Sequence, residues 1–98
     1  MKNKIFKMYC NFTACASNYV RILPSTVVAE HLEISLYMAR KYIKELVADG
    51  LLASDIVVLK SNWYPPIICR GYCLTSKGRE TQEYKDSWQA ELDLLNKI

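Results

Sequence analysis

Apolar residues recur at helical spacing in residues 24–32 and again in residues 35–49. Between these stretches, Glu33-Ile34 interrupts the pattern. Ser35 is a typical N-cap residue for the second stretch, and Gly50 is typical of the position just after a helix. The pattern therefore predicts two helices joined by a short connection.

The second predicted helix has two faces of opposite character. Its apolar face carries Ala39, Ile43, Leu46 and Val47, and its outer face carries Tyr37, Arg40, Lys41 and Lys44. A helix with a basic outer face, supported by a short helix across a tight turn, has the shape and charge needed to enter the major groove of DNA.

The rest of the first 74 residues supplies four further elements. Residues 3–17 have one apolar stripe at helical spacing and predict a first helix. Residues 19–23 are β-prone and predict a short strand. Residues 52–59 and 67–74 are rich in apolar and β-branched side chains, and they predict a hairpin that packs against the helices.

A last helix is expected to begin at Thr75 or Ser76 and to reach nearly to Ile98. Its apolar stripe consists of Tyr84, Trp88, Leu92 and Leu95. Such a stripe must be covered. Two covers are open: the first helix of the same chain, or the same stripe of a second copy.

The segment from Pro24 to Leu52, the hairpin, and Gly71-Tyr-Cys-Leu-Thr-Ser-Lys-Gly78 together resemble the winged helix-turn-helix domain of MarR-like and PadR-like transcription regulators. The resemblance covers roughly residues 3–80. It implies an α+β fold, mostly α, with a three-helix core, a β-hairpin wing and a long C-terminal helix. Residues 1–80 would form the winged domain, and residues 81–98 would form the helix that joins two copies.

The function that this resemblance implies is sequence-specific binding of double-stranded DNA by a small homodimeric transcription repressor. Helix 35–49 would enter the major groove, and hairpin 55–74 would act as the wing. The residues expected to contact DNA are Ser35, Tyr37, Arg40, Lys41, Lys44, Lys60 and Arg70. The residues expected to join two copies are Tyr84, Trp88, Leu92 and Leu95.

Charge is unevenly distributed along the chain. The net charge is +3, but residues 1–79 carry a net +6 and residues 80–98 carry a net −3. A basic globular part favours a polyanionic partner, because it raises the rate of encounter and neutralises phosphates. The acidic C-terminal part does not contribute to this attraction.

A second function remains open, in which a winged domain binds another protein and no DNA. The expected wing tip contains Trp63 and Tyr64 beside Pro65-Pro66. Exposed aromatic side chains near an acidic helix suit a protein partner better than phosphate. A third, weaker possibility is a ligand-sensing repressor with an effector pocket between the first and last helices, although the chain is short for enclosing one.

Catalytic and metal-binding chemistry find little support in the sequence. The cysteine pairs Cys10/Cys15 and Cys69/Cys73 lack the spacing of a zinc knuckle, and His31 is the only histidine. Three glycines provide no phosphate-binding loop. We therefore expect a non-enzymatic protein without a cofactor or metal. The absence of a long apolar run or of a convincing signal peptide favours the cytoplasm.

Overall fold

A computed structural model describes residues 1–15, 22–60 and 62–97, and there the fold is α+β and mostly helical. Two antiparallel strands form one small hairpin sheet, paired in register from Leu52 opposite Leu74 to Leu59 opposite Ile67. The expected α+β class is confirmed. The elements in chain order are α1 (Lys2–Ala14), α2 (Ser25–Leu32), α3 (Leu36–Ala48), β1 (Leu52–Leu59), β2 (Ile67–Leu74), α4 (Ser76–Arg79) and α5 (Gln82–Asn96).

Helices α2 and α3 form where the apolar spacing predicts them. Glu33 ends α2 in a left-handed conformation with a φ of 55°. The side chain of Ser35 then caps α3 by accepting a hydrogen bond from the backbone N–H of Met38 at 3.2 Å. The connection between α2 and α3 is therefore only three residues long. After α3, Gly50 has a φ of 79°, which glycine adopts at little cost.

The hydrophobic core lies between α1, α2, α3 and the base of the hairpin. Each helix contributes its apolar stripe, and the two strands contribute the residues nearest to the helices. Complete burial of one aliphatic side chain stabilises the fold by about 1.5–3 kcal/mol. The largest fully buried side chains are Tyr9, Ile5, Ile43, Leu46, Leu52, Val28 and Cys10.

The main chain of Leu23 joins α1 to the hairpin. Its carbonyl oxygen accepts hydrogen bonds from the buried hydroxyl of Tyr9 at 2.7 Å and from the N–H of Tyr72 at 3.2 Å. Its own N–H donates to the carbonyl of Tyr72 at 2.9 Å, which makes an isolated antiparallel bridge. Most of the predicted strand 19–23 lies outside the described residues, but its last residue pairs with β2.

Burial raises the pKa of Tyr9 well above its ordinary value. The folded protein therefore favours the neutral phenol, which is the form that donates to Leu23. This stabilising contribution is complete below the unfolded-state pKa of about 10 and is lost as the pH rises above it.

The prediction of one uninterrupted last helix is wrong. The chain forms the short helix α4 and then starts again as α5, because Thr75 and Thr81 each cap a separate helix. The hydroxyl of Thr81 accepts from the N–H of Tyr84 at 3.4 Å and donates to the carbonyl of Gly78 at 2.7 Å. The predicted C-terminal end is confirmed, because α5 ends at Asn96, close to Ile98.

The first helix is also shorter than predicted. It ends at Ala14, since Cys15 adopts an extended backbone with a ψ of 118°. Residues 16 and 17 of the predicted helix lie outside the described residues.

Helix α5 packs on α1 of the same chain, on a face centred on Ser87. The hydroxyl of Ser87 donates to Oδ1 of Asn11 at 2.7 Å, and only 8% of Ser87 is exposed. In the predicted stripe, Tyr84 packs against the core. The three other members stay partly exposed: Trp88 at 48%, Leu92 at 36% and Leu95 at 48%.

We predict that Tyr9→Phe lowers the free energy of unfolding by about 1 kcal/mol, because it removes one buried hydrogen bond and little volume. Urea denaturation followed by circular dichroism measures this change. Tyr37→Phe is the matched control, since Tyr37 is 75% exposed. Equal stability of Tyr9→Phe and the wild type would show that the bond to Leu23 contributes nothing.

We also predict that Gly78→Ala destabilises the fold by about 1–3 kcal/mol, the usual cost of overpacking. A Cβ atom at position 78 would lie 2.6 Å from the carbonyl oxygen of Leu51 and 3.1 Å from Cδ2 of Leu74. Helix propensity alone has the opposite sign, because alanine is favoured over glycine by about 1 kcal/mol. Thermal unfolding decides between the two, with Ser76→Ala at an exposed position of α4 as control; a stabilised Gly78→Ala contradicts the steric argument.

Candidate nucleic-acid interface

Helix α3 separates its core side from its cationic side. Ala39 and Ile43 are completely buried, and Leu46 is 2% exposed. The side chains on the opposite face are all exposed: Tyr37, Arg40, Lys41 and Lys44. Because the buried stripe fixes the rotation of the helix, these cations face away from the core.

The cationic face borders a shallow groove along α3. Its volume is about 640 Å³, and it is lined by Leu36, Tyr37, Arg40, Lys41 and Lys44. The ammonium group of Lys41 lies 5.8 Å from the centroid of the Tyr42 ring, within the range of a cation–π contact. Among the residues that the structure describes, no acidic side chain lines this groove.

A second cleft lies between α3, the start of α2 and the hairpin. It has a volume of about 680 Å³ and brings Arg40 of α3 and Arg70 of β2 to the same space. Two guanidinium groups from different elements suit the recognition of an anion such as phosphate. The cleft therefore links two of the residues that the sequence predicted separately.

Among the residues of this cleft that the sequence did not predict, three bear on anion binding. Ser25 and Thr26 lie there at the start of α2, where the cap residue Pro24 provides no side-chain hydrogen bond to the helix. The first N–H groups of a helix attract anions. The Pro24-Ser25-Thr26 sequence carries that signal, because it predicts the start of a helix.

The third missed residue, Asp55, has the opposite charge. It lines the same cleft, and its carboxylate accepts a hydrogen bond from the N–H of Ile56 at 2.8 Å. Alternation along β1 places its side chain on the sheet face opposite to Arg70, the face that also holds Cys73. The α3 groove, which three cations line, is the more strongly cationic of the two surfaces.

The distal half of the hairpin is mainly apolar. Lys60 follows β1 and is exposed, as is Arg70 on β2. Trp63 and Tyr64 in the connection are 88% and 70% exposed. Of the seven predicted DNA contacts, those on α3 thus form one surface, Arg70 joins it through the cleft, and Lys60 lies apart near the hairpin tip.

The C-terminal end of α3 is held by side chains from two other elements. The ammonium group of Lys77 donates to the carbonyl of Asp49 at 2.8 Å, and the hydroxyl of Thr75 donates to the carbonyl of Gly50. Lys2 of α1 also forms an ion pair with the Asp49 carboxylate at 2.7 Å. This ion pair is exposed and contributes little, so the carbonyl contacts are the main restraint.

The thiols of the buried Cys10 and the half-buried Cys73 are not activated. Burial raises the pKa of Cys10 to about 12, and it raises the pKa of Cys73 as well. The thiolate is the reactive form of cysteine. Neither side chain therefore has the environment of a nucleophile or of a redox sensor.

Residues 1–15, 22–60 and 62–97 contain no group of three or more His, Cys, Asp or Glu side chains placed to hold a metal ion. Within the same ranges, none of the helices combines the length and the apolar character needed to cross a membrane. Comparison with protein-family models, curated proteins and solved structures gives no match to this chain.

Proposed function

We propose that the chain is a winged helix-turn-helix protein that binds double-stranded DNA and regulates transcription as a repressor. Helix α3 enters the major groove, and the hairpin acts as the wing. The observation that carries this proposal is the exposed cationic face of α3, which the core packing of Ala39 and Ile43 turns outward. A polyanion is the partner that such a face attracts most strongly.

Each residue of the interface has a distinct part in this proposal. Ser35 and Tyr37 approach the DNA at the N-terminal end of α3. Arg40 reads bases, since a guanidinium group forms two hydrogen bonds with guanine. The ammonium groups of Lys41 and Lys44 contact phosphates or bases beside it. Lys60 and Arg70 hold the flanking backbone from the hairpin.

The dimer belongs to the same proposal. Trp88, Leu92 and Leu95 form a partly exposed apolar stripe on α5, beside the face that packs on α1. Pairing of this stripe with its symmetry mate would present two α3 helices to successive major grooves of a pseudo-palindromic site. Tyr84 packs on the core of its own subunit, and in this proposal it holds α5 so that the stripe stays exposed to the second copy.

A second candidate function is a winged domain that binds protein. The exposure of Trp63 and Tyr64 favours it, since aromatic side chains are enriched at the centres of protein interfaces. Retention on heparin separates the two candidates. A phosphate-binding protein elutes at high salt, whereas a protein-binding module elutes early.

For DNA binding, we predict different effects of two neighbouring substitutions. Arg40→Ala lowers discrimination between a selected duplex and an unrelated one by about 1–3 kcal/mol, because it removes a base contact. Lys41→Ala weakens binding to all duplexes alike and flattens the salt dependence by about one unit. Fluorescence anisotropy at several salt concentrations measures both, using duplexes selected from a random pool.

Lys85→Ala is the matched control for these titrations, because Lys85 is an exposed cation on α5, away from the α3 groove. It should leave both affinity and salt dependence unchanged. If Arg40→Ala and Lys41→Ala bind every duplex as the wild type does, α3 is not the DNA-reading helix.

For the dimer, we predict that Leu95→Lys lowers the molecular mass measured by sedimentation equilibrium at micromolar concentration. The substitution introduces a charge into the proposed apolar contact, and it spares the fold because Leu95 is 48% exposed. Gln89→Lys on the same helix serves as control. An unchanged mass for Leu95→Lys would exclude the α5 stripe as the dimer contact.

A further inference from the structure

Strand β1 has an open outer edge. On the far side of β2, the main chain of Leu23 bonds Tyr72, whereas no strand lies beside β1 within the described ranges. The pairing of β1 with β2 continues from Leu52 to Leu59 without a bulge. The strand contains no proline or glycine. A regular edge of this kind readily accepts a further strand.

The same part of the hairpin exposes large apolar side chains. Ile56 is 55% exposed, Val58 is 48% exposed and Ile68 is 61% exposed. The three lie on one face of the sheet, because their register positions are two residues apart and Val58 pairs with Ile68. Ile67, on the other face, is 56% exposed.

The area of this surface is large for a protein of this size. The three side chains on one face together expose on the order of 300 Å², while Ile67 lies on the other face and Trp63 and Tyr64 lie in the connection. Exposed apolar patches of several hundred Å² mark interaction sites.

The charges of the hairpin leave the outer part of β1 neutral. Residues 56–59 carry no charge, and residues 56–70 include no acidic side chain. The one carboxylate of the hairpin, Asp55, precedes this stretch and accepts the N–H of Ile56. Charged side chains normally protect edge strands from pairing. Here that protection ends at the beginning of the apolar stretch.

We infer that this edge pairs with the same edge of a second copy, so that two hairpins form a four-stranded antiparallel sheet. A two-fold axis perpendicular to the sheet keeps the same face upward in both copies. Antiparallel pairing centred on Val57 then places Ile56 of one copy opposite Val58 of the other. The apolar face that includes Ile68 becomes continuous across the axis.

Two features favour a second copy over a foreign protein. The edge is self-complementary, because its neutral apolar stretch pairs with itself and places no like charges opposite each other. A two-stranded hairpin is also only marginally stable alone, and further strands stabilise it. A second copy, unlike a foreign protein, is present whenever the chain itself is present. This inference does not depend on DNA binding.

The test is the molecular mass of Val58→Lys, measured by sedimentation velocity without DNA. Lysine at this position should weaken self-association at least tenfold, because two lysines would lie close to the axis in an apolar contact. Val27→Lys on α2 is the matched control, since Val27 is 40% exposed outside the hairpin. Circular dichroism checks that both variants fold.

Leu95→Lys separates this surface from the α5 stripe. If the hairpin edge and the α5 stripe both mediate self-association, the wild type is larger than a dimer, and each variant is a dimer. If only the hairpin edge mediates self-association, the wild type and Leu95→Lys are dimers and Val58→Lys is a monomer. Either result supports the inference. A wild-type monomer, or a Val58→Lys variant with the mass of the wild type, overturns it.

Disulfide formation tests the proposed register. In a background with Cys15, Cys69 and Cys73 replaced by serine, a mixture of Ile56→Cys and Val58→Cys copies should form a cross-linked dimer under mild oxidation. Residues directly opposite in an antiparallel pair have the Cα separation that a disulfide requires. Each variant alone should cross-link several-fold more slowly; equal rates in all three samples contradict the register.

Discussion

The main chain at Leu23 holds the two halves of the fold together. Its carbonyl oxygen accepts from α1 through Tyr9 and from β2 through Tyr72, and Pro24 immediately afterwards begins α2. Gly71 makes this junction possible, because a Cβ atom there would lie 3.0 Å from the carbonyl carbon of Leu23. Without the junction, the hairpin would still contact the core through Leu52 and Leu74, but no hydrogen bond to Leu23 would hold β2. The position of Arg70 relative to Arg40 therefore depends on a backbone contact that borders the same cleft, since Gly71 and Tyr72 also line it.

The same kind of restraint acts at the C-terminal end of α3. The carbonyls of Asp49 and Gly50 accept hydrogen bonds from Lys77 and Thr75, so the turn after the helix is held by the segment that follows the hairpin. With Ser35 capping the other end, α3 is fixed at both termini and along its buried stripe. A rigid helix with exposed cations retains its surface geometry without a ligand. Such preorganisation lowers the entropy cost of binding.

The sequence was a good guide to local structure and a poor one to contacts between elements. Ser35, Gly50 and the apolar spacing identified α2 and α3, because these signals act within one helix. The break at Thr81 was missed, since a threonine followed by good helix formers also fits a helix interior. The sequence offers α1 as one of two covers for α5, but it gives no sign that the contact centres on Ser87, because a small polar residue gives no apolar signal. Likewise, nothing in local spacing shows that Arg40 and Arg70 share a cleft, which only the tertiary fold determines.

The two exposed surfaces differ in their physical character, and this difference limits what each one can do. The α3 face relies on charge, so its attraction for a polyanion falls as salt rises. The hairpin edge relies on apolar burial and main-chain hydrogen bonds, which salt weakens little and kosmotropic salts strengthen. Asp55 lies where the two surfaces meet, because the residue lines the cleft and its carboxylate accepts a hydrogen bond from the N–H of Ile56. This acidic side chain protects the start of the strand edge and marks the boundary between the polar and the apolar parts of β1.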